Sequence, residues 1–207
     1  MKTKLFIDFD GTLFDTRHLK TDLFNTFGSM GFTEDQIELT YKKACEDYIY
    51  SPIEQLQLLQ NFKKCDIQEV IEKIESLYKK VPDYLFKDTV DFLMNLNREK
   101  YEVSLLTLGD EEFQKKKVKS SGIEEYFDNI YYCRNQKWIF LKELVDLDEK
   151  FFIIDDRGDA MYEISKEFKN SIPIEINRSK EVLDIMEKPS PYDGLSIKNF
   201  EEATQYL

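Results

Sequence analysis

Asp8 and Asp10 stand two residues apart in Lys-Leu-Phe-Ile-Asp-Phe-Asp-Gly-Thr-Leu-Phe-Asp, residues 4–15. On extended backbone the i, i+2 spacing aims both carboxylates one way and Phe9 the other. Two acids so close repel each other unless a cation or a shared proton relieves them. A hard divalent cation such as Mg²⁺ takes oxygen ligands and keeps positions open for a phosphate. One carboxylate can then attack phosphorus while the other handles a proton. The apolar run Leu5-Phe6-Ile7 reads as a short buried strand, with a Gly11-Thr12 turn behind the acids. Ligands of an open α/β sheet sit beyond the carboxyl ends of its strands, which is where this pair is predicted to stand.

Two later strands are predicted to end in groups suited to the same chemistry. The segment Tyr101–Thr107 ends in a hydroxyl, and the N–H groups around Thr107-Leu108-Gly109 suit a phosphoryl oxygen. The segment Lys150–Ile154 runs into Asp155 and Asp156. Adjacent acids at a buried strand end are costly unless a metal or hydrogen bonds compensate. With Asp8 they can complete an oxygen-rich cage. The plainer alternatives are a strand-end role for Thr107 and a helix cap for the acid pair.

The elements that must position these groups follow from periodicity. Thr16–Met30 carries Leu19, Leu23, Phe24 and Phe27 at helical spacing and stops at Gly31. Thr33-Glu34-Asp35-Gln36 is a capping box for a helix running through Ile37, Tyr41, Ala44 and Tyr48, and Ser51-Pro52-Ile53-Glu54 reads as another. Asp66 opens a further helix with the stripe Val70, Ile71, Ile74, Leu77 and Tyr78. Amphipathic helices with no strand between them predict a small bundle. After Val81-Pro82 the pattern alternates. Helices are expected over Thr89–Glu99, Asp110–Ser121, Gln136–Val145, Asp159–Phe168, Glu181–Met186 and Asn199–Tyr206. Strands are expected over Tyr101–Thr107, Asn129–Cys133, Lys150–Ile154 and Ile172–Ile176, with Leu195–Ile197 at an edge. Such alternation predicts an α/β fold, a Rossmann-like parallel sheet covered on both faces, with the bundle inserted after its first strand.

Composition narrows the partners. The 41 acidic residues exceed the 29 basic ones, for a net charge of −12, which argues against a nucleic-acid surface. A small phosphorylated metabolite stays compatible, because a bound metal reverses the local field. Cys45, Cys65 and Cys133 are three, odd in number and widely spaced, so a disulfide framework is not expected and a reducing cytoplasm fits. No stretch reaches the length of a membrane span and no signal peptide is read, so no membrane is expected. His18 is the single histidine, which disfavours histidine-based phosphoryl transfer. Oligomeric state is not legible.

Asp8-Phe9-Asp10-Gly11-Thr12-Leu13-Phe14-Asp15 resembles the first motif of the haloacid dehalogenase-like (HAD) phosphohydrolase superfamily. The later strand ends resemble its other motifs in order. Thr107 matches the second motif, and the segment continuing to Lys117, Ser121-Gly122 and Tyr126-Phe127-Asp128 is similar to the stretch after that motif in many members. Lys137 matches the third motif, with Trp138 where relatives often carry Pro and Lys142 as the reserve candidate. Phe151–Asp159 resembles the fourth motif, with Ala160 where a further acid is usual and Asp159 one residue early. The resemblance implies that Asp8 is the nucleophile and Asp10 the acid and base. It implies that Thr107 and Lys137 hold the phosphoryl oxygens. Mg²⁺ is expected on Asp8, the Asp10 carbonyl and Asp156, with Asp155 second to Asp156. It further implies a core of residues 1–15 and 85–207 and a helical cap over 16–84, from which Arg17, His18 and Lys20 could reach a substrate. The dehalogenase branch lacks the second Asp, so Asp10 points to phosphate. The implied activity is Mg²⁺-dependent hydrolysis of a small phosphomonoester such as a sugar phosphate, phosphoglycolate or nucleotide. A phosphomutase and a non-catalytic phosphate-binding protein are the alternatives.

Overall fold

The structure, a computed structural model, describes residues 2–46, 49–178 and 190–207. Its centre is the first strand, β1 (Thr3–Ile7), whose residues Leu5, Phe6 and Ile7 are all buried. The chain then enters four helices, α1 (Thr16–Ser29), α2 (Glu34–Ala44), α3 (Pro52–Leu59) and α4 (Ile67–Tyr78). Asp15 caps α1 by accepting from His18 N–H, Thr33 and Gln36 form the expected capping box on α2, and Asp66 caps α4. Ser51 precedes α3 without a side-chain capping bond, so the second expected box is not formed. Nor is the helical stretch free of strands. Residue Ala44 ends α2, and the two-residue strands β2 (Cys45–Glu46) and β3 (Ile49–Tyr50) pair antiparallel. A short 3₁₀ turn, Val81–Tyr84, leads out of this region.

Beyond it come α5 (Thr89–Asn95), β4 (Tyr101–Leu108), α6 (Glu111–Ser121), β5 (Asn129–Cys133), α7 (Lys137–Leu141), β6 (Phe151–Asp155), α8 (Gly158–Glu167), β7 (Ile172–Ile176), β8 (Leu195–Ile197) and α9 (Phe200–Ala203). Several helices are shorter than their periodicity suggests. Helix α5 ends before Glu99 because Leu96 turns extended and the Asn97 side chain captures the N–H groups of Glu99 and Lys100. Helix α7 gives way to turns through Val145, and α9 spans four residues behind its Asn199 cap. The helix expected over Glu181–Met186 and the position of Tyr48 lie outside the described residues.

The main sheet has six strands in the order β5-β4-β1-β6-β7-β8, and every pairing in it is parallel. Alternation along β1 sends Leu5 and Ile7 to one face and Phe6 to the other. The first face packs with Val103, Leu105, Ile154 and Ile174 against the α5, α6 and α9 side chains Phe92, Phe113, Val118 and Phe200. The second packs Phe6, Leu106 and Ile153 against Leu141, Met161 and Ile164 of α7 and α8. Both faces are therefore covered, as the hydrophobic strands of a parallel sheet require. Among the described residues no helix is long and apolar enough to cross a membrane.

Candidate active site

Strands β4, β1 and β6 lie side by side, so their carboxyl ends deliver Thr107, Asp8 and the Asp155-Asp156 pair to one place. The register sets Ile7 opposite Leu105 on one side and Ile154 on the other, and Asp8 N–H donates to Ile154 C=O at 2.9 Å. Asp8, Asp155 and Asp156 each contribute a carboxylate oxygen to a group whose members all lie within 4.8 Å of one another. The turn behind Asp8 makes that closeness possible. Gly11 has φ +76°, and a Cβ there would sit 2.0 Å from Asp156 Oδ2.

Lys137, at the start of α7 and only 4% exposed, donates to both Asp8 Oδ1 and Asp155 Oδ2. Burial works against its charge, and the two carboxylates outweigh burial, so the ammonium is held charged well past its ordinary range. Thr12 Oγ1 donates to Asp8 Oδ2 at 3.2 Å, and Arg157 N–H donates to Asp155 Oδ1 at 2.8 Å. Burial, with the Asp155 and Asp10 charges, still pushes Asp8 up to about 7 against the pull of Lys137. Asp156 is driven well above the carboxylate range by burial first and then by Asp155 and Asp8. Three acids and one ammonium leave an excess of negative charge, and a divalent cation is the partner that such an oxygen set fits. Lys137 is shared by Asp8 and Asp155, and Arg157 N–H occupies the other Asp155 oxygen.

The side chain of Asp10 lies outside that group and is held by three donors. Lys117 Nζ and Thr16 Oγ1 reach Oδ1 at 2.5 and 2.7 Å, and Gln114 Nε2 reaches Oδ2 at 2.7 Å. Burial opposes the charge of Asp10, but Lys117 together with the Gln114 and Thr16 bonds holds its carboxyl below the usual range. Lys117 is 1% exposed and lies over the rings of Phe9, Phe14 and Phe113. Thr107 is fully buried, and its hydroxyl has no hydrogen-bond partner among the described residues.

The reserve candidates are engaged elsewhere. Lys142 pairs with Glu167 at 2.6 Å and lies over Trp138, and Asp159 is bound bidentately by Arg157. His18 packs its ring on Tyr84, and Lys20 lies 4.0 Å from the Tyr41 ring centroid, while Arg17 is an exposed residue of α1. Sequence reasoning named Lys117 without a role and passed over Gln114, Thr12 and Thr16. The signal for the first two was present, since Phe113 and Val118 define the buried stripe of α6 and Gln114 and Lys117 fall on it. A support from further along the chain was not legible. Arg178, just past β7, grips Asp88 with both oxygens at 2.7 and 2.8 Å and donates twice to Thr12 C=O, fixing the turn whose hydroxyl meets Asp8.

The parallel sheet thus carries an acid cluster and a buried lysine at its carboxyl edge. The profile of the haloacid dehalogenase-like hydrolases matches residues 5–137, and the chain belongs to that family of enzymes. No curated protein sequence matches it. Solved structures do. One is the HAD hydrolase YfnB from Bacillus subtilis bound to magnesium, at 15% identity and TM-score 0.65 over 100% of this chain and 98% of that one. A haloacid dehalogenase-like hydrolase from Burkholderia xenovorans LB400 aligns at 15% identity and TM-score 0.77, covering 99% and 96%. A protein from Thermotoga maritima assigned as a beta-phosphoglucomutase aligns at 17% identity and TM-score 0.66, covering 100% and 98%. Dehalogenases, one of them an L-2-haloacid dehalogenase from Xanthobacter autotrophicus, are also among the structural neighbours.

Proposed function

We propose that the protein is a Mg²⁺-dependent phosphatase that hydrolyses a small phosphorylated metabolite through an aspartyl-phosphate on Asp8. The observation that carries this reading is the pairing of an acid cluster around Asp8 with a second, separately held carboxylate at Asp10. A magnesium-bound structural neighbour supports the choice of metal. Asp8 and Asp156, with Asp155 behind them, would hold Mg²⁺. When bound, it draws negative charge from the phosphoryl oxygens and aligns them.

The chain's own residues do the rest. An Asp8 carboxylate oxygen attacks phosphorus, and the bond from phosphorus to the leaving oxygen breaks. Lys137 and the unpartnered hydroxyl of Thr107 donate to phosphoryl oxygens as charge develops there. The leaving oxygen takes a proton from Asp10, which must first let go of Lys117 and take up that proton from solvent. In the second half Asp10 removes a proton from water, the water oxygen attacks phosphorus, and Asp8 is regenerated.

Residues 16–84 act in this reading as a cap. Phe113 at the start of α6 meets Tyr50 and Tyr78 of the helical region at centroid distances of 5.7 and 6.5 Å. Next to them, Lys116 pairs with Glu75 at 2.5 Å. Closure there would keep water from the aspartyl-phosphate until the leaving group has gone.

The test is hydrolysis of an aryl phosphate with and without Mg²⁺ by the native protein and Asp8→Asn. Turnover that needs the metal and is lost in the variant supports the reading. Turnover surviving in the variant refutes it, and a requirement for a bisphosphate activator would instead mark a phosphomutase.

A further inference from the structure

Two buried side-chain atoms have no hydrogen-bond partner among the described residues: Thr107 Oγ1 and Gln114 Oε1. The proposed chemistry uses the first and leaves the second unexplained. Gln114 is 4% exposed, and its amide cannot be turned to remove the problem. Nε2 donates to Asp10 Oδ2 at 2.7 Å and to Leu108 C=O at 3.0 Å. Exchanging the amide atoms would set a carbonyl against two acceptors, so Oε1 is fixed as the atom lacking a partner. The fold also reserves space for this side chain. At Gly109, with φ +153°, a Cβ would lie 2.6 Å from Gln114 Nε2 and 3.2 Å from its Cγ. Only glycine is tolerated there without displacing the amide.

The location gives the orphan acceptor a meaning. The amide is anchored on the carboxylate assigned to the leaving oxygen and on the residue directly after Thr107. Its carbonyl oxygen shares a carbon with that anchored nitrogen, so it lies close to the Asp10 carboxylate assigned to the leaving oxygen. A phosphoryl dianion offers acceptors only and cannot satisfy a carbonyl. A donor on the second carbon from the ester oxygen can.

From this we infer that Gln114 is a specificity residue whose carbonyl accepts a hydrogen bond from a hydroxyl or N–H group beside the scissile ester. The favoured substrates are then phosphate monoesters of polyols or amino alcohols, and an otherwise similar ester lacking that donor leaves the buried carbonyl unmatched. The inference rests on the phosphatase reading of the same site.

The experiment compares kcat/KM for 2-hydroxyethyl phosphate and its near-isostere n-propyl phosphate, in Mg²⁺, with an aryl phosphate as reference. The native protein is expected to favour the hydroxyl ester by roughly tenfold or more. Gln114→Met, which keeps length and loses the amide, is expected to bring that ratio towards one, whatever it does to the absolute rate by releasing Asp10. A structural role alone would lower both rates and leave the ratio in place. Turnover of the aryl phosphate with no preference between the alkyl esters in the native protein overturns the inference and leaves the phosphatase reading standing, as does an unchanged ratio in the variant. Failure on all three substrates overturns both.

Discussion

Lys137→Met removes the one ammonium that Asp8 and Asp155 share, and the consequence can be worked from the geometry. All three groups are buried, so the carboxylates left behind cannot turn to bulk water. Removing one partner of a buried ion pair costs about 3–5 kcal/mol. The size of the loss depends on how many carboxylates are ionised. Asp8 sits at about 7, so at pH 8 it is charged and loses its counter-ion. At pH 5.5 Asp8 already carries a proton, one charge fewer needs the ammonium, and the loss should be smaller. At pH 8 the expected drop in melting temperature is roughly 6–20 °C for a chain of this size. Urea unfolding followed by the fluorescence of Trp138, the single tryptophan, gives the free energies directly. It should be run in a chelator at both pH values and then repeated with Mg²⁺, which should recover part of the loss at pH 8. A loss below about 1 kcal/mol at pH 8, or equal losses at both pH values, would refute the electrostatic account of the site.

Other outcomes are expected from the same geometry. In the native protein without metal, the folded-state pKa of Asp8 is raised from 3.8 to about 7, so the folded chain binds more protons than the unfolded one between those values. Stability should therefore fall as pH rises through that window, by on the order of 4 kcal/mol at most from this group, and Mg²⁺ should flatten the fall in a urea titration. Gly11→Ala meets a positive φ and the Asp156 carboxylate at once; it should cost at least about 1–2 kcal/mol and weaken Mg²⁺ binding more than tenfold by calorimetry. Arg178→Lys loses the fork that spans Asp88 and Thr12 C=O and should destabilise by about 1–3 kcal/mol in thermal unfolding, whereas Glu75→Gln, at a half-exposed pair, should change stability by less than about 1 kcal/mol.

How much of this was readable from the sequence depended on the range of the cause. The strands were legible because a parallel sheet buried on both faces leaves apolar runs such as Leu5-Phe6-Ile7 and Phe151-Phe152-Ile153-Ile154. Asp8, Thr107 and the Asp155-Asp156 pair were legible because strand ends in such a sheet share one edge. Helix ends were less so. The Asn97 turn that stops α5 and the short hairpin after Ala44 are local hydrogen-bonding choices that periodicity does not see. The supports of Asp10 were only half legible. Gln114 and Lys117 fall on the α6 stripe that Phe113 and Val118 mark, but their polar side chains are ordinary for a solvated face and do not announce what they hold. Arg178 is more remote still, tied to Thr12 across 166 positions of chain with nothing local to announce it.

The central place of β1 bears on how the molecule comes to exist. Thr3–Ile7 precedes both of its sheet neighbours in the chain, and these are residues 101–105 and 151–154. Such separations carry a large loop-closure entropy and slow the search for the native pairing. During synthesis the strand that carries Asp8 must wait, unpaired and apolar, until both of those partners have emerged. The helices of residues 16–78 can form from near neighbours in the meantime, so local order comes early and the reactive centre comes last. The acid cluster is then a mark of finished folding. A chain stalled before Asp155 has Asp8 in sequence but no second wall to the acid cluster, and partly folded forms should not assemble it.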